Sequence, residues 1–192
     1  MKIRRLVTGH TAEGNSTIVK DAQLEAEVLA TRPGWAVAKL WAADAPARFP
    51  DDGSEPKWST QFPPLGGYRF FIMTMVPQPA PGQPSIDRAA IHAEMDRVVP
   101  GLTDYFEPDT PGMHTSDTID FGYVLSGRIW LELDNGESRE LRAGDCFIQN
   151  GTRHAWRNKS DTGCTVLFVL VGAHRSPTGL ERAQAARAGV LT

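Results

Sequence analysis

The chain has few cysteines and no long apolar run, and both shortages limit what the protein can be. Only Cys146 and Cys164 occur among 192 residues, both in apolar, strand-like segments. Two thiols cannot form a disulfide framework, so we expect small core residues in a reducing compartment, the cytoplasm, with a single bridge as the alternative.

No apolar stretch approaches the ~20 residues that a membrane-spanning helix needs. The first segment, MKIRRLVTGH, has basic residues but no apolar region behind them, which predicts no signal peptide.

The sequence also has no excess of positive charge. Lysine and arginine number 20 against 23 aspartates and glutamates, so the formal net charge is -3. A slightly acidic protein has no general electrostatic attraction to nucleic acids or anionic membranes, and we expect neither as a partner. The content of hydrophobic residues, 41%, and of charged residues, 22%, is that of a folded globular protein. A small-molecule substrate is therefore the expected partner.

Glycine and proline, at 18 and 14 residues, divide the chain into three parts. Residues 1–109 contain period-2 apolar alternations that predict strands, two proline-rich loops, and a short helix over 88–99 that Asp87 could cap. Residues 110–173 carry a glycine turn signal every 7–12 residues, which predicts short antiparallel strands in a sandwich or small barrel. Residues 174–192 form an alanine-rich tail that could be helical. The N-terminal strands are predicted at residues 3–7, 17–19, 35–41 and 68–76.

Two of the five histidines lie within residues 110–173, and both are followed by polar or aromatic residues at even spacing. Alternate residues of a strand project to one face, so the side chains of His114, Ser116 and Asp120 point the same way. By the same rule, His154 and Trp156 share a face. If this face is the barrel interior, two imidazoles and a carboxylate converge there.

These residues resemble the two sequence motifs of the cupin superfamily. The first motif, a histidine pair followed by an acid and a glycine, corresponds here to His114, Ser116, Asp120 and Gly127. The second, Gly-Asp followed by a glycine, a histidine and an asparagine, corresponds to Gly144, Asp145, Gly151, His154 and Asn158. The resemblance implies an all-β fold, the cupin double-stranded β-helix (jelly-roll) barrel, over residues 110–173. Extra N-terminal strands and one or two short helices would surround it.

The first motif departs from the form found in metal-binding cupins, which have three histidines and one glutamate. Ser116 replaces the second histidine, and Asp120 stands where glutamate is usual. The resemblance therefore implies one of two states. Either His114, Asp120 and His154 hold one divalent ion (Fe, Mn, Ni or Zn) as a 2-His-1-carboxylate site, or no metal is present. Without metal, the same three residues act as acid and base, as in some cupin dehydratases and isomerases.

The leading hypothesis is an enzyme of the lyase, dehydratase or isomerase type that acts on a small carbonyl or phenolic molecule. His114, Asp120 and His154 would be its catalytic residues. Ser116, Trp156 and Tyr123 are expected to contact the substrate. Two alternatives stay open: a metal-dependent oxygenase or oxidoreductase that uses the same three residues, and a cupin that binds a small ligand without turnover.

A homodimer is also expected. Small cupins often pair through edge strands and N-terminal segments, and residues 3–7 form an apolar edge-strand candidate that needs a partner.

Overall fold

A computed structural model describes residues 1–79 and 87–176, and eleven strands dominate that part of the chain. The strands are β1 (Lys2–His10), β2 (Ser16–Glu25), β3 (Glu27–Val28), β4 (Ala36–Ala43), β5 (Tyr68–Met75), β6 (Thr118–Ser126), β7 (Arg128–Glu132), β8 (Ser138–Arg142), β9 (Cys146–Gln149), β10 (Ala155–Arg157) and β11 (Cys164–Gly172). One helix, α1 (Arg88–Val98), and two 3₁₀ turns, Thr103–Tyr105 and Asp134–Gly136, complete the set. The predicted helix in the tail falls on residues 177–192, outside the described residues.

Nine of the strands form two antiparallel sheets whose inner side chains share one hydrophobic core. The larger sheet has the order β3-β4-β5-β11-β6-β9, and the smaller has the order β10-β7-β8. The all-β barrel that the sequence predicts is therefore present, and β3, β4 and β5 extend its larger sheet.

The glycine turn signals predicted within residues 110–173 all lie between successive strands from β6 to β11. Asn135 and Gly136 adopt φ values of 57° and 74°, in the left-handed region that asparagine and glycine tolerate best. The Asn135-Gly136 turn joins the paired strands β7 and β8, and each of the other turns connects a strand of one sheet to a strand of the other. Local turn chemistry thus sets the strand lengths of the barrel.

Strand β11 shows why these segments form strands with a buried face. Its alternate residues Cys164, Val166, Phe168 and Leu170 are buried, and their neighbours in sequence are half-buried. The same alternation in β6 buries its even-numbered residues from 118 to 124. Burial of such apolar side chains stabilises the fold by roughly 1.5–3 kcal/mol for each large one.

Helix α1 closes one side of this core. Asp87 caps it as predicted, because its carboxylate accepts a hydrogen bond of 3.1 Å from the Ala90 nitrogen. Ile91, Met95 and Val98 form the buried stripe of this helix and belong to the hydrophobic core. The helix therefore packs against the sheets.

Strands β1 and β2 form a separate two-stranded hairpin that contains the first two predicted strands. The loop after β4 holds this hairpin in place. The His10 nitrogen donates to the Asp51 carbonyl at 2.7 Å, and Glu55 forms ion pairs with Arg5 at 2.7 Å and with Lys20 at 2.5 Å.

The two cysteines differ in environment, and both thiols are free. Cys164 is buried in β11, as expected of a core residue. The prediction is wrong for Cys146, which is exposed, because the inward residues of β9 are Phe147 and Gln149. Among the described residues, no helix has the length and apolar character that crossing a bilayer requires.

Candidate active site

His114 and His154 lie directly opposite each other in an isolated antiparallel bridge. Each backbone nitrogen donates to the carbonyl of the other residue at 2.9 Å. Residues opposite each other in an antiparallel pair project to the same face. The two imidazole rings accordingly contact each other, with their centroids 4.2 Å apart.

Both rings are removed from water, with only 7% of His114 and 1% of His154 exposed. The rings of Phe62 and Phe106 lie 5.8 and 5.7 Å from the His114 ring, and Trp156 stands nearly perpendicular to His154 at 5.8 Å. Burial lowers the pKa of His114. Burial and the neighbouring His114 together lower the pKa of His154 to about 4. Both imidazoles are therefore neutral at physiological pH.

The Nδ1 atom of each histidine faces a backbone carbonyl two residues earlier in the chain. Nδ1 of His114 lies 3.1 Å from the Gly112 oxygen, and Nδ1 of His154 lies 2.9 Å from the Thr152 oxygen. Only His154 has a further contact at this atom, because the Gln149 amide nitrogen lies 2.5 Å away. Within the described residues, the Nε2 atoms make no hydrogen bond, so Nε2 is the nitrogen left for chemistry.

The inner face of β6 and the residues just before it add hydroxyl groups and one carboxylate. Ser116 and Thr118 are buried, and their hydroxyls form a hydrogen bond of 2.8 Å. Asp120 is 6% exposed and lies between Leu170 and Gln149 on the neighbouring strands. In the part of the chain that the structure describes, its Oδ1 has no hydrogen-bond partner. Burial raises the pKa of this carboxyl to about 6.

The three residues expected to contact a substrate have different positions. Ser116 lies inside, and Trp156 is half-buried against Phe147, with ring centroids 4.6 Å apart. Tyr123 is 45% exposed on the outer face of β6. The structure therefore places Tyr123, an expected substrate contact, on the face of β6 opposite to the buried Asp120. Tyr123 lies three positions after Asp120 along the strand, and an odd offset places the two side chains on opposite faces.

Two residues that the sequence did not single out support the histidine pair. Gln149 is buried beside His154. It lies two residues after the buried Phe147 in β9, so both side chains point to the inner face of the sheet. Arg175 donates to the Ser116 carbonyl at 2.6 Å and to the Gly151 carbonyl at 2.8 Å. Arg175 thereby connects the segments that follow His114 and precede His154.

A surface cleft of about 290 Å³ adjoins these segments. Its lining includes Asn150, His174 and Arg175. The buried histidine rings are not among the residues that line it. Ser116 and Thr118 also line the cleft, which therefore borders the segment that carries these hydroxyls without reaching the histidine rings.

The residues present do not fit the predicted three-ligand metal site. Within residues 1–79 and 87–176, no group of three His, Cys, Asp or Glu side chains is arranged to hold a metal ion. The structure joins His114 and His154, but no hydrogen bond links Asp120 to either ring in that part of the chain. Asp120 and the two histidines therefore form no preassembled three-ligand group among the described residues.

A comparison with protein families identifies the segment that carries these residues. The family model Cupin_2, described as "Cupin domain", matches residues 105–170. That range contains His114, Asp120 and His154, together with strands β6 to β10 and most of β11.

Curated relatives match only part of this chain. "Phomopsin biosynthesis cluster protein C'" of Diaporthe leptostromiformis is 56% identical over 62 residues, which are 32% of this chain and 33% of that protein. "Oryzines biosynthesis cluster protein J" of Aspergillus oryzae is 44% identical over 71 residues, 36% of this chain and 40% of that protein. "Cupin-domain-containing oxidoreductase fogC" of Aspergillus ruber is 34% identical over 79 residues, 40% of this chain and 39% of that protein. The matches thus span about a third to two fifths of these relatives.

Solved structures resemble a larger share of the chain at low sequence identity. A putative ethanolamine utilization protein Q from Salmonella typhimurium has a TM-score of 0.41 and 12% identity, covering 91% of this chain and 99% of that one. A predicted oxalate decarboxylase from Thermotoga maritima has a TM-score of 0.41 and 16% identity, covering 78% of this chain and 93% of that one. The family match and the strand order around the histidine pair identify residues 105–170 as a cupin domain of the Cupin_2 family.

Proposed function

We propose that this protein is a cupin-type enzyme that transfers protons on a small carbonyl or phenolic molecule, as a lyase, dehydratase or isomerase. One observation carries the proposal: the contact between two buried, neutral imidazoles, His114 and His154, on one face of the domain. A positioned imidazole typically contributes ~10²–10⁴ to the rate of a proton transfer.

The surroundings of the pair suit acid–base chemistry. A neutral imidazole can accept a proton at one ring nitrogen while the other is held by a hydrogen bond, as Nδ1 of His114 is held by Gly112. The carboxyl of Asp120, with its pKa raised to about 6, can be protonated or ionised near neutral pH. Buried titratable groups with shifted pKa values are candidate acids and bases, and His114, His154 and Asp120 are all of this kind.

The names of the relatives support catalysis more generally. Two of them are named as proteins of biosynthesis clusters, and a third as an oxidoreductase. Each relative shares only part of its length with this chain. These names therefore favour an enzyme without selecting its reaction.

An oxidoreductase is the second candidate, and the printed name of the Aspergillus ruber relative favours it. In the family, such activity would use a divalent metal, and Ser116 removes one of the usual ligands. A cupin that binds a small ligand without turnover is the third candidate. All three predict that a small molecule binds near His114 and His154, but only the first predicts proton exchange without metal.

Solvent-proton exchange tests the proposal without knowledge of the natural substrate. A panel of ketones, 1,3-dicarbonyls and phenols is incubated with the protein in D₂O, after treatment with a chelator, and followed by ¹H NMR. We expect the protein to accelerate exchange at a carbon next to a carbonyl, or ortho to a phenol. His114→Ala and His154→Ala should lower that rate at least ~100-fold.

His92→Ala is the matched control, because His92 is exposed on α1 and should leave exchange unchanged. Full exchange in both site variants would overturn the proposal. Activity that disappears on chelation and returns with added iron, manganese, nickel or zinc would favour the oxidoreductase. Thermal stabilisation by a compound that undergoes no exchange or turnover would favour the binding protein.

A further inference from the structure

We propose that the two site histidines are held in opposite tautomers, and that Gln149 is the positioning residue that sets the tautomer of His154. His114 carries its proton on Nδ1, and His154 carries its proton on Nε2. This inference rests on the proposed function for its chemical consequence, but the tautomers themselves can be measured without activity.

His114 has one partner that determines its tautomer. Its Nδ1 lies 3.1 Å from the Gly112 carbonyl oxygen, which can only accept a hydrogen bond. A neutral His114 therefore places its proton on Nδ1. Its Nε2 keeps a free lone pair, the form in which an imidazole accepts a proton.

The orientation of the Gln149 amide is fixed by the backbone of Thr152. The Thr152 nitrogen donates to Oε1 of Gln149 at 3.0 Å, and Nε2 of Gln149 donates to the Thr152 carbonyl at 2.7 Å. Rotating the amide by half a turn would place donor against donor and acceptor against acceptor at both contacts. The atom beside His154 is therefore the amide nitrogen.

This amide nitrogen decides the tautomer of His154. It lies 2.5 Å from Nδ1 of His154, and its second hydrogen has no acceptor other than that ring nitrogen in the described part of the chain. A proton on Nδ1 would bring two N–H groups together at this distance, whereas an unprotonated Nδ1 accepts a hydrogen bond. The Thr152 carbonyl, 2.9 Å from Nδ1, can accept two hydrogen bonds, so the close contact with the Gln149 amide nitrogen, which His114 lacks, distinguishes the two histidines. His154 thus carries its proton on Nε2.

Opposite tautomers give the touching rings different roles. Nε2 of His114 can remove a proton from a carbon next to a carbonyl group. The electron pair of that C–H bond forms the C=C bond of an enolate while the carbonyl π pair moves to oxygen. Nε2–H of His154 donates a hydrogen bond to this oxygen and remains a neutral imidazole. The imidazolium of His114 then returns its proton to oxygen or to another carbon, so the step is redox-neutral and requires no co-reactant.

The substrate class that suits this pair is a small compound with an acidic C–H bond next to a carbonyl. Two histidines in the same tautomer would present two lone pairs or two donors, and neither arrangement both removes a proton and stabilises the oxygen. The Gln149 amide therefore converts a symmetric pair of residues into a base and a hydrogen-bond donor.

Nitrogen NMR of the full chain tests the tautomers directly. The protein is labelled with ¹⁵N-histidine, and long-range ¹H–¹⁵N correlations at pH 7.5 identify the protonated nitrogen of each ring, with His114→Asn and His154→Asn used for assignment. We expect an Nδ1–H pattern for His114 and an Nε2–H pattern for His154. An Nδ1–H pattern for His154 in the unmodified protein would overturn the inference.

Two substitutions at Gln149 complete the test. Gln149→Glu places an acceptor at Nδ1, and Gln149→Leu removes the amide and leaves Nδ1 facing the Thr152 carbonyl. Both should move the His154 proton to Nδ1, while His114 serves as the internal control and keeps its pattern. An unchanged His154 pattern in both folded variants would refute the role of Gln149.

Kinetics separates this inference from the proposed function. In any reaction found by proton exchange, both Gln149 variants should lower kcat at least ~10-fold with a smaller change in KM. If the tautomers are as proposed and the protein catalyses no exchange, the proposed function fails and the assignment of tautomers stands.

Discussion

Asp120 lies directly opposite Gln149 in the β6–β9 pair, but the two side chains differ in their hydrogen bonding. Both ends of the Gln149 amide are hydrogen-bonded, whereas Oδ1 of Asp120 has no partner in the described residues. Leu170, on the other side of Asp120, is 2% exposed and offers no polar group. Burial of a carboxyl whose Oδ1 has no partner outweighs the lowering effect of the Thr118 side chain, which is why the pKa of Asp120 is raised.

The first prediction concerns Asp120 and pH. Its pKa rises from an ordinary 3.8 to about 6 in the folded protein, so folding favours the protonated carboxyl. The associated stability is fully present below about pH 4 and is lost as the pH rises through about 6, to a total on the order of 3 kcal/mol. Asp120→Asn, which is neutral throughout, should be more stable than the unmodified protein at pH 8 and equally stable near pH 4. Urea unfolding at pH 4, 6 and 8 measures the stability of both proteins. A stability difference between them that does not change with pH would contradict the prediction.

The second prediction concerns the close approach of Gly122 to Phe147. A Cβ atom added to Gly122 would lie 2.0 Å from Cζ and 2.2 Å from Cε1 of Phe147, on the crowded inner face of the sheet. Gly122→Ala should therefore destabilise the fold by about 1–3 kcal/mol in denaturant unfolding. Gly163→Ala is the control, since its nearest neighbour would be 3.3 Å away. The double variant Gly122→Ala/Phe147→Leu should lose less stability than the two changes added together, and strict additivity would argue against this contact.

The sequence predicted most of what depends on local pattern. The strands of the barrel follow from period-2 burial and turn glycines, and the meeting of His114 with His154 follows from strand alternation and the cupin spacing. The same alternation rule, applied to Tyr123, already excludes it from the inner face. The sequence could not reveal the role of Gln149, because its partners depend on how the turn around Thr152 folds back.

The burial of Arg69 could not be predicted from the sequence either. This residue occupies an inward position of β5 that alternation assigns to an apolar residue, yet its side chain is fully buried. Its partners come from distant parts of the chain: the Thr60 carbonyl at 2.6 Å, the Ala43 carbonyl at 2.8 Å and the Asp44 carboxylate at 2.5 Å. No local pattern reports such contacts.

The third prediction follows from this network. Arg69→Lys keeps the charge but cannot supply the planar set of donors, so buried carbonyls lose their partners, at a cost of about 2–3 kcal/mol. Asp44→Asn should cost less than about 1 kcal/mol, because the Asp44 side chain is 44% exposed and solvent screens its charge. Thermal and urea unfolding compare the two variants. Equal losses would show that the ion pair, and not the set of carbonyl contacts, stabilises this region.

The fourth prediction is the homodimer, for which the hairpin provides a candidate surface. Leu6 and Ile18 project to the same face of the β1–β2 hairpin and are 52% and 63% exposed. We expect sedimentation at micromolar concentration to give twice the chain mass of 21.0 kDa. Leu6→Glu/Ile18→Glu should then shift the mass to that of one chain, whereas Gln23→Glu, also exposed on the hairpin, should not. A single-chain mass for the unmodified protein would contradict the prediction.

The last prediction restores a third imidazole to the domain. Ser116 is on the same inner face as His114, and within the described residues the site has no three-ligand group. The unmodified protein should bind divalent metals weakly, and Ser116→His should bind Co²⁺ or Zn²⁺ at least ~10-fold more tightly, because three imidazoles suit these ions better than two. The larger side chain replaces a buried serine, so a loss of about 1–3 kcal/mol of stability is expected, and circular dichroism must confirm the fold. Calorimetric titration with each metal measures the affinity. Ser116→His/His114→Ala is the control, and a gain that persists in this double variant would show that the metal binds elsewhere.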